Sequence, residues 1–79
     1  MYRLVPLNEV LKYVPEAQNE EVSKIARGRG GFLEQYKKGP LNEFWKNKRE
    51  NFIKRHLAQY RKNPTRRRWL ALMMWAFKA

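Results

Sequence analysis

Three consecutive arginines, Arg66, Arg67 and Arg68, are the side chains whose type and spacing best suit a chemical task. They follow Asn63-Pro64, which ends one helical pattern and opens another, so this arginine cluster falls in the first turn of a helix. Cations in a first turn oppose the helix dipole by roughly a few tenths of a kcal/mol each. The free N–H groups of a helix start attract anions, however, and guanidinium groups beside them favour phosphate oxygens. The cluster therefore predicts a phosphate-binding site, with merely exposed, solubilising charge as the alternative.

Further cations lie at the ends of the predicted helices and on one helix face. Arg27 and Arg29 belong to the segment RGRGG. Segments of this RGG type occur in disordered RNA-binding tracts, but a single copy between two helices favours a loop in which Gly28 ends the preceding helix. Arginines on such a loop are well placed to follow a phosphate backbone. The predicted nucleic-acid-binding residues are Arg27, Arg29, Lys37, Lys38, Lys54, Arg55, Arg61, Lys62, Arg66, Arg67 and Arg68.

The sequence holds few of the residues that catalysis or metal binding requires. It has no cysteine and one histidine, His56, so a zinc site is excluded. His56 shares a helix face with apolar residues, which favours a half-buried packing role over that of a base or a ligand. Ser23 and Thr65 stand outside nucleophile motifs, and the carboxylates are too scattered for a divalent metal. We expect a protein without catalytic activity, metal or cofactor; a nuclease built on tyrosine, arginine and one glutamate is the alternative.

The element that must carry many of these side chains runs from Asn42 to Lys62, the longest stretch without Gly or Pro. At 100° per residue its apolar side chains fall on one face, which predicts an amphipathic helix of about 20 residues, roughly 30 Å long. Glu50 lies four residues before Lys54, the favourable order for an exposed ion pair. The apolar face consists of Trp45, Phe52, Ile53, His56, Leu57 and Tyr60, and the opposite face of Asn47, Lys54, Arg55, Ala58, Arg61 and Lys62.

The two ends of this helix have similar sequences. Residues 32–46 and 56–70, aligned at an offset of 24, share the pattern L-x-Q-Y-[K/R]-K-[G/N]-P-x-x-x-x-W. In each copy a helix ends in two cations, Gly39 or Asn63 follows, and a proline opens the next helix. The pattern fits either shared helix punctuation or two pseudo-equivalent basic corners at the ends of the long helix.

The N-terminal part predicts two short helices. Residues 7–14 form the first, with Asn8 as its N-cap, and Pro15 opens the second, with Val22 and Ile25 facing inward. We expect the acids of the second helix to be solvated, with masking of a basic surface inside the molecule as the alternative. These acids are Glu16, Glu20 and Glu21.

The pattern along the whole chain predicts an all-α fold. No segment alternates with strand period, so we expect a small bundle of four to five helices organised around the long helix at about residues 42–62, in a single domain of residues 1–79. The formal charge of +11 is uneven. Residues 1–26 hold three cations and four acids, a net −1, and residues 27–79 hold fifteen and three, a net +12. A polyanionic partner is expected for the second part.

These observations predict a small, basic nucleic-acid-binding protein that contacts mainly the phosphate backbone of DNA or RNA, with weak sequence preference. The last helix, residues 65–78, is apolar nearly all round, as is typical of a helix laid across a core or an interface. One alternative is therefore an adaptor that docks a protein partner through Trp69–Phe77. The other is a basic amphipathic protein active at membranes, although most cations precede the apolar segment. Without cysteine or a signal-peptide pattern, we expect an intracellular location in the cytoplasm, nucleoid or nucleus.

Overall fold

The computed structural model describes residues 2–79, whose regular structure consists of helices alone. The predicted all-α fold organised around one long helix is confirmed. Six helical segments are present in these residues, where four to five were predicted, because the second predicted helix is broken into two. The helices are α1 (Leu7–Leu11), α2 (Val14–Asn19), α3 (Lys24–Arg27), α4 (Phe32–Lys38), α5 (Glu43–Lys62) and α6 (Arg66–Met73).

The start of α5 is determined by its own sequence. Asn42, the N-cap, accepts a hydrogen bond from the backbone N–H of Trp45 at 2.9 Å, which satisfies one of the donors that a helix start leaves free. The helix then runs for 20 residues to Lys62, within one residue of the predicted bounds. Ile53 and Leu57 are buried, as the helical period predicts.

The second predicted helix is broken after Asn19 because two residues adopt a left-handed backbone. Glu21 and Ser23 have φ angles of 54° and 53°, which turn the chain before α3 begins. This turn places Val22 in the core, so the burial of an apolar side chain outweighs local helix propensity. Ile25 was expected to face inward, but the break rotates α3 and leaves this side chain 70% exposed.

The two short N-terminal helices each have a proline at or next to their start. Helix α1 starts at Leu7, directly after Pro6, and has no side-chain cap, so the prediction of Asn8 as its N-cap is wrong. The fixed φ of a proline suits a helix entry without further help. Pro15 is the second residue of α2, one later than predicted, and lies in the first turn, where its missing N–H has no intrahelical partner to lose. Helix α1 ends at Leu11, three residues before its predicted end.

The two ends of α5 are not equivalent, although their sequences match. Gly39 precedes α5 with a φ of 139°, a conformation that glycine alone adopts readily, whereas Asn63 precedes α6 with a φ of −147°. Neither Pro40 nor Pro64 is the first residue of the helix that follows it. The N-caps are Asn42 and Thr65, one residue out of register in the alignment. The two junctions therefore differ in backbone conformation and in N-cap position, which favours shared helix punctuation as the origin of the similarity.

Helix α6 and the turn after it lie inside the core. Met73, Met74 and Ala76 are fully buried, and Trp75 is 2% exposed. The segment Trp69–Phe77 thus buries most of its apolar surface within the molecule and does not present the docking face that an adaptor would need. Across residues 2–79, none of the helices combines the length and the apolar character that crossing a bilayer requires.

A buried arginine joins α5 to the segments near both ends of the chain. Arg49 is 2% exposed, and its guanidinium group donates four hydrogen bonds to backbone carbonyl oxygens, at 2.7 to 3.0 Å. Burial lowers the pKa of Arg49, and the neighbouring Glu50 charge acts in the opposite direction. The four acceptors are the carbonyl oxygens of Tyr2, Arg3, Trp75 and Ala76.

Candidate nucleic-acid interface

The arginine cluster opens α6 as predicted, but its first member is paired within the molecule. Arg66 donates through Nε and Nη2 to the two carboxylate oxygens of Glu16 on α2, each at 2.8 Å. These hydrogen bonds are the main reason why the pKa of Glu16 is lowered and the pKa of Arg66 is raised. The guanidinium also lies 4.6 Å from the centre of the Trp69 ring. Glu16 is therefore not merely solvated; it masks a basic side chain, the alternative considered from the sequence.

The other two arginines donate to uncharged backbone oxygens, so these hydrogen bonds do not offset their positive charges. Arg67 donates to backbone carbonyl oxygens just after α2, and Arg68 donates to the carbonyl oxygen of Asn63 at 2.8 Å. The backbone N–H of Arg68 is satisfied by the side chain of the N-cap, Thr65, at 3.1 Å. The predicted phosphate site at the helix start therefore keeps two unpaired charges, those of Arg67 and Arg68. The guanidinium of Arg66 is paired with Glu16, and the backbone N–H of Arg68 is occupied by Thr65.

A groove runs along one side of α5, and we call it the basic groove. It consists of three adjoining cavities of about 570, 490 and 590 Å³ that share lining side chains. Its long wall is α5 from Phe44 to Gln59, which at 1.5 Å per residue is roughly 22 Å. The opposite wall is α3 with residues 28–30 at one end and the start of α6 at the other. Its lining includes Lys24, Arg29, Lys48, Arg55, Arg67, Arg68, Ile25, Phe44, Phe52 and His56.

The lining of the basic groove is strongly positive. Six of the lining residues are cations, and Glu21 is the one acid among them. Lys24 and Lys48 border both the first and the middle cavity, and Arg55 borders the middle one. A concave surface with one sign of charge concentrates its field and attracts counter-ions of the opposite sign. The groove is thus suited to a polyanion.

Aromatic rings form much of the floor and the rim of this groove. Phe52 stacks on Trp75, with 4.8 Å between ring centres, and on His56 at 3.9 Å. At the open end, Phe44 is 61% exposed, and Ile25 borders the same cavity. Cations interleaved with exposed rings are the composition of surfaces that bind single-stranded nucleic acids.

The surroundings of His56 favour its neutral form. It is half-buried and stacked on Phe52, and burial lowers its pKa from the ordinary value of 6.5. The positive charge of the adjacent Arg55 lowers the pKa further. The half-buried packing position predicted for this histidine is confirmed.

Glycines allow α3 to form the second wall of the groove. A Cβ on Gly31 would lie 2.0 Å from the carbonyl oxygen of Ile25 and 2.7 Å from that of Ala26, so only glycine lets the chain pass this close. Gly28 ends a helix, as predicted, and here that helix is α3. Arg29 follows directly and is exposed at the end of the groove that Phe44 and Ile25 line, which we call its mouth.

The structure brings only some of the predicted residues together. Arg29, Arg55, Arg67 and Arg68 line the basic groove. Arg27 is half-buried, and its Nε donates to the carbonyl oxygen of Val22 at 2.8 Å. This side chain therefore supports the turn before α3. The predicted residues that are exposed outside the groove are Arg66 at the start of α6, Lys37 and Lys38 at the end of α4, and Lys54, Arg61 and Lys62 on α5.

Three residues that line the groove, Phe44, Lys48 and Lys24, are not among the binding residues predicted from the sequence. Phe44, Lys48 and Phe52 are spaced by four residues, so they share one stripe of α5, and that signal was present in the sequence. The place of Lys24 was not readable, because α3 turns toward α5 only through the backbone break after α2.

Among residues 2–79, no three or more His, Asp or Glu side chains are arranged to hold a metal ion. No protein-family model, curated protein or solved structure matches this chain.

Proposed function

We propose that this chain is a nucleic-acid-binding protein, not an enzyme, which holds the phosphate backbone of DNA or RNA in the basic groove. The observation that carries the proposal is the lining itself, in which six cations and one acid follow a concave path along α5. A linear polyanion that lies in such a path neutralises several charges at once and releases its own counter-ions.

Phosphate contacts also set the expected specificity and the salt dependence. Phosphates are alike at every nucleotide, so lysine and arginine contacts position the polymer without reading its sequence. The proposed binding is therefore weakly sequence-specific. If the six cations each contact one phosphate, the affinity for a duplex should fall by roughly 10³ between 50 and 200 mM salt.

Removal of charge from the groove should weaken binding and reduce its salt dependence. The groove variant Lys24→Gln/Lys48→Gln/Arg55→Gln removes two lysines and one arginine from the middle cavity. Its slope of log affinity against log salt should become shallower by about 0.7 to 0.9 for each lost phosphate contact. Fluorescence anisotropy of a labelled oligonucleotide, titrated at several salt concentrations, measures both the affinity and the slope.

The matched control removes the same charges outside the groove. The variant Lys37→Gln/Lys54→Gln/Arg61→Gln also loses two lysines and one arginine, all from exposed positions. On α5, Lys54 lies about 100° around the helix from Arg55 and borders a separate cleft. The control should retain most of the wild-type affinity. Equal losses in the two variants would contradict binding in the groove, and a wild-type protein that binds no oligonucleotide at 50 mM salt would contradict the proposed function.

A further inference from the structure

The mouth of the basic groove exposes apolar side chains that phosphate binding does not require. Phe44 and Ile25 are 61% and 70% exposed, and they border one cavity of about 570 Å³. Neither side chain contributes to the buried core. Large apolar side chains that meet in an open, strongly basic cavity mark a contact surface for an apolar part of a charged ligand.

The aromatic ring at this mouth is held in place and is flanked by charge. Phe44 packs edge-to-face on Trp45, with 5.3 Å between ring centres and 89° between ring planes. Lys48 Nζ lies 5.5 Å from the centre of the Phe44 ring, and Lys24 and Arg29 border the same cavity. A flat apolar group bound on Phe44 would therefore have three cations beside it.

Rings and cations alternate along the groove. Phe44, Lys48 and Phe52 follow one another at four-residue intervals on α5, roughly 6 Å apart along the helix axis. Arg55 and the stacked ring of His56 continue the series in the middle cavity. A single strand of nucleic acid has the complementary sequence of groups, because flat bases and negative phosphates alternate along it.

We infer that the basic groove takes single-stranded nucleic acid, with an unpaired base stacked on Phe44 beside Ile25 and a neighbouring phosphate held by Lys24 and Lys48. This inference rests on the proposed function and adds the class of nucleic acid. In a duplex the base faces are stacked on one another inside the helix, so Phe44 has no base face to contact. Stacking on a ring tolerates any base, which agrees with weak sequence preference.

The test separates base stacking from phosphate contact. Binding is measured by anisotropy for a single-stranded oligonucleotide, for its blunt duplex and for a base-free strand with the same number of phosphates, as DNA and as RNA. Wild type should bind the single strand most tightly. Phe44→Ala should weaken single-strand binding by about 5- to 150-fold, the equivalent of ~1–3 kcal/mol per stacked base. Its affinity for the base-free strand and its salt slope should not change, and Phe44→Trp should retain binding.

Leu11→Ala is the control for the loss of an exposed apolar side chain, because Leu11 is 37% exposed on α1 and does not line the groove. It should bind the single strand as wild type does, and circular dichroism should show both variants folded. Equal wild-type affinity for the duplex or for the base-free strand, or unchanged single-strand binding by Phe44→Ala, would overturn the inference. In those cases a specific loss in the Lys24/Lys48/Arg55 variant would still support the proposed function.

Discussion

At the scale of single residues, His56 links packing in the basic groove to protonation. Its ring stacks on Phe52, and burial lowers its pKa below the ordinary value of 6.5. The unfolded chain therefore binds a proton more readily than the folded protein does. The stability that depends on the neutral ring is complete above the unfolded-state pKa and is lost as pH falls through the folded-state pKa. Charged groups lining the same cavities are Glu21, Lys24, Lys48, Arg55, Arg67 and Arg68.

We predict that the melting temperature falls between about pH 7.5 and about pH 5, and that His56→Phe removes most of this fall. Phenylalanine keeps a ring on Phe52 but takes up no proton. A change of melting temperature in this pH range reflects protonation of His56, because it is the only histidine and carboxyl groups titrate mainly at lower pH. Thermal melts followed by circular dichroism measure the effect. An equal fall in both proteins would show that another group titrates.

At the scale of helices, contacts between α6 and α2 give the arginine cluster a stabilising role. The sequence of α6 alone predicts that these arginines destabilise the helix. Cations in a first turn destabilise an isolated helix. In the folded protein Arg66 pairs with Glu16, and Arg67 donates to carbonyl oxygens just after α2, so the cluster holds α6 against the N-terminal helices. The paired side chains are 56% and 41% exposed, and the pair is therefore open to screening by water and salt.

A double-mutant cycle of Glu16→Gln and Arg66→Gln should show a small favourable coupling at neutral pH. Since Arg66 lowers the pKa of Glu16, this coupling is present above the ordinary value of 4.5 and is lost as pH falls through the lower, folded-state value. Urea unfolding of the four proteins at about pH 7 and about pH 2 measures the coupling. A coupling that persists unchanged in acid or at high salt would mean that the two side chains interact by packing and not by charge.

At the scale of the whole molecule, Arg49 joins the middle of the chain to segments near its two ends. Its guanidinium group donates to the carbonyl oxygens of Tyr2 and Arg3. It also donates to the carbonyl oxygen of Ala76, which accepts the backbone N–H of Val5 as well, at 2.8 Å. A core of this size is modest, so directional contacts that fix the terminal segments matter to stability. Loss of the side chain would leave the buried carbonyl oxygen of Trp75 without this donor, whereas the oxygen of Ala76 would keep the N–H of Val5.

We predict that Arg49→Met lowers the free energy of unfolding by about 3 kcal/mol or more, because four hydrogen bonds from a charged donor are lost, two of them buried. Arg49→Lys should cost less but still destabilise, since a single ammonium lacks the planar fork that reaches four oxygens. Arg55→Met is the control at an exposed position of the same helix and should stay within about 0.5 kcal/mol of wild type. Urea unfolding gives all three values, and similar losses at both positions would exclude the role assigned to Arg49.

The sequence by itself determined the features that depend on neighbours along the chain. The bounds of α5 and the half-buried side of His56 both follow from helical spacing and helix ends. These signals act within about four residues, so no knowledge of packing is needed. Arg49 was readable by the same rule, because it lies four residues from both Trp45 and Ile53 on the apolar stripe.

Only the tertiary structure decided which distant groups meet. Arg66 and Glu16 are 50 residues apart in sequence, and nothing local selects that partner. The turn after α2 buries Val22 and leaves Ile25 exposed, so the predicted helix is broken at a point where packing and not local propensity decides the backbone. The basic groove is a product of that break, since it brings α3 beside Phe44 and Lys48 on α5.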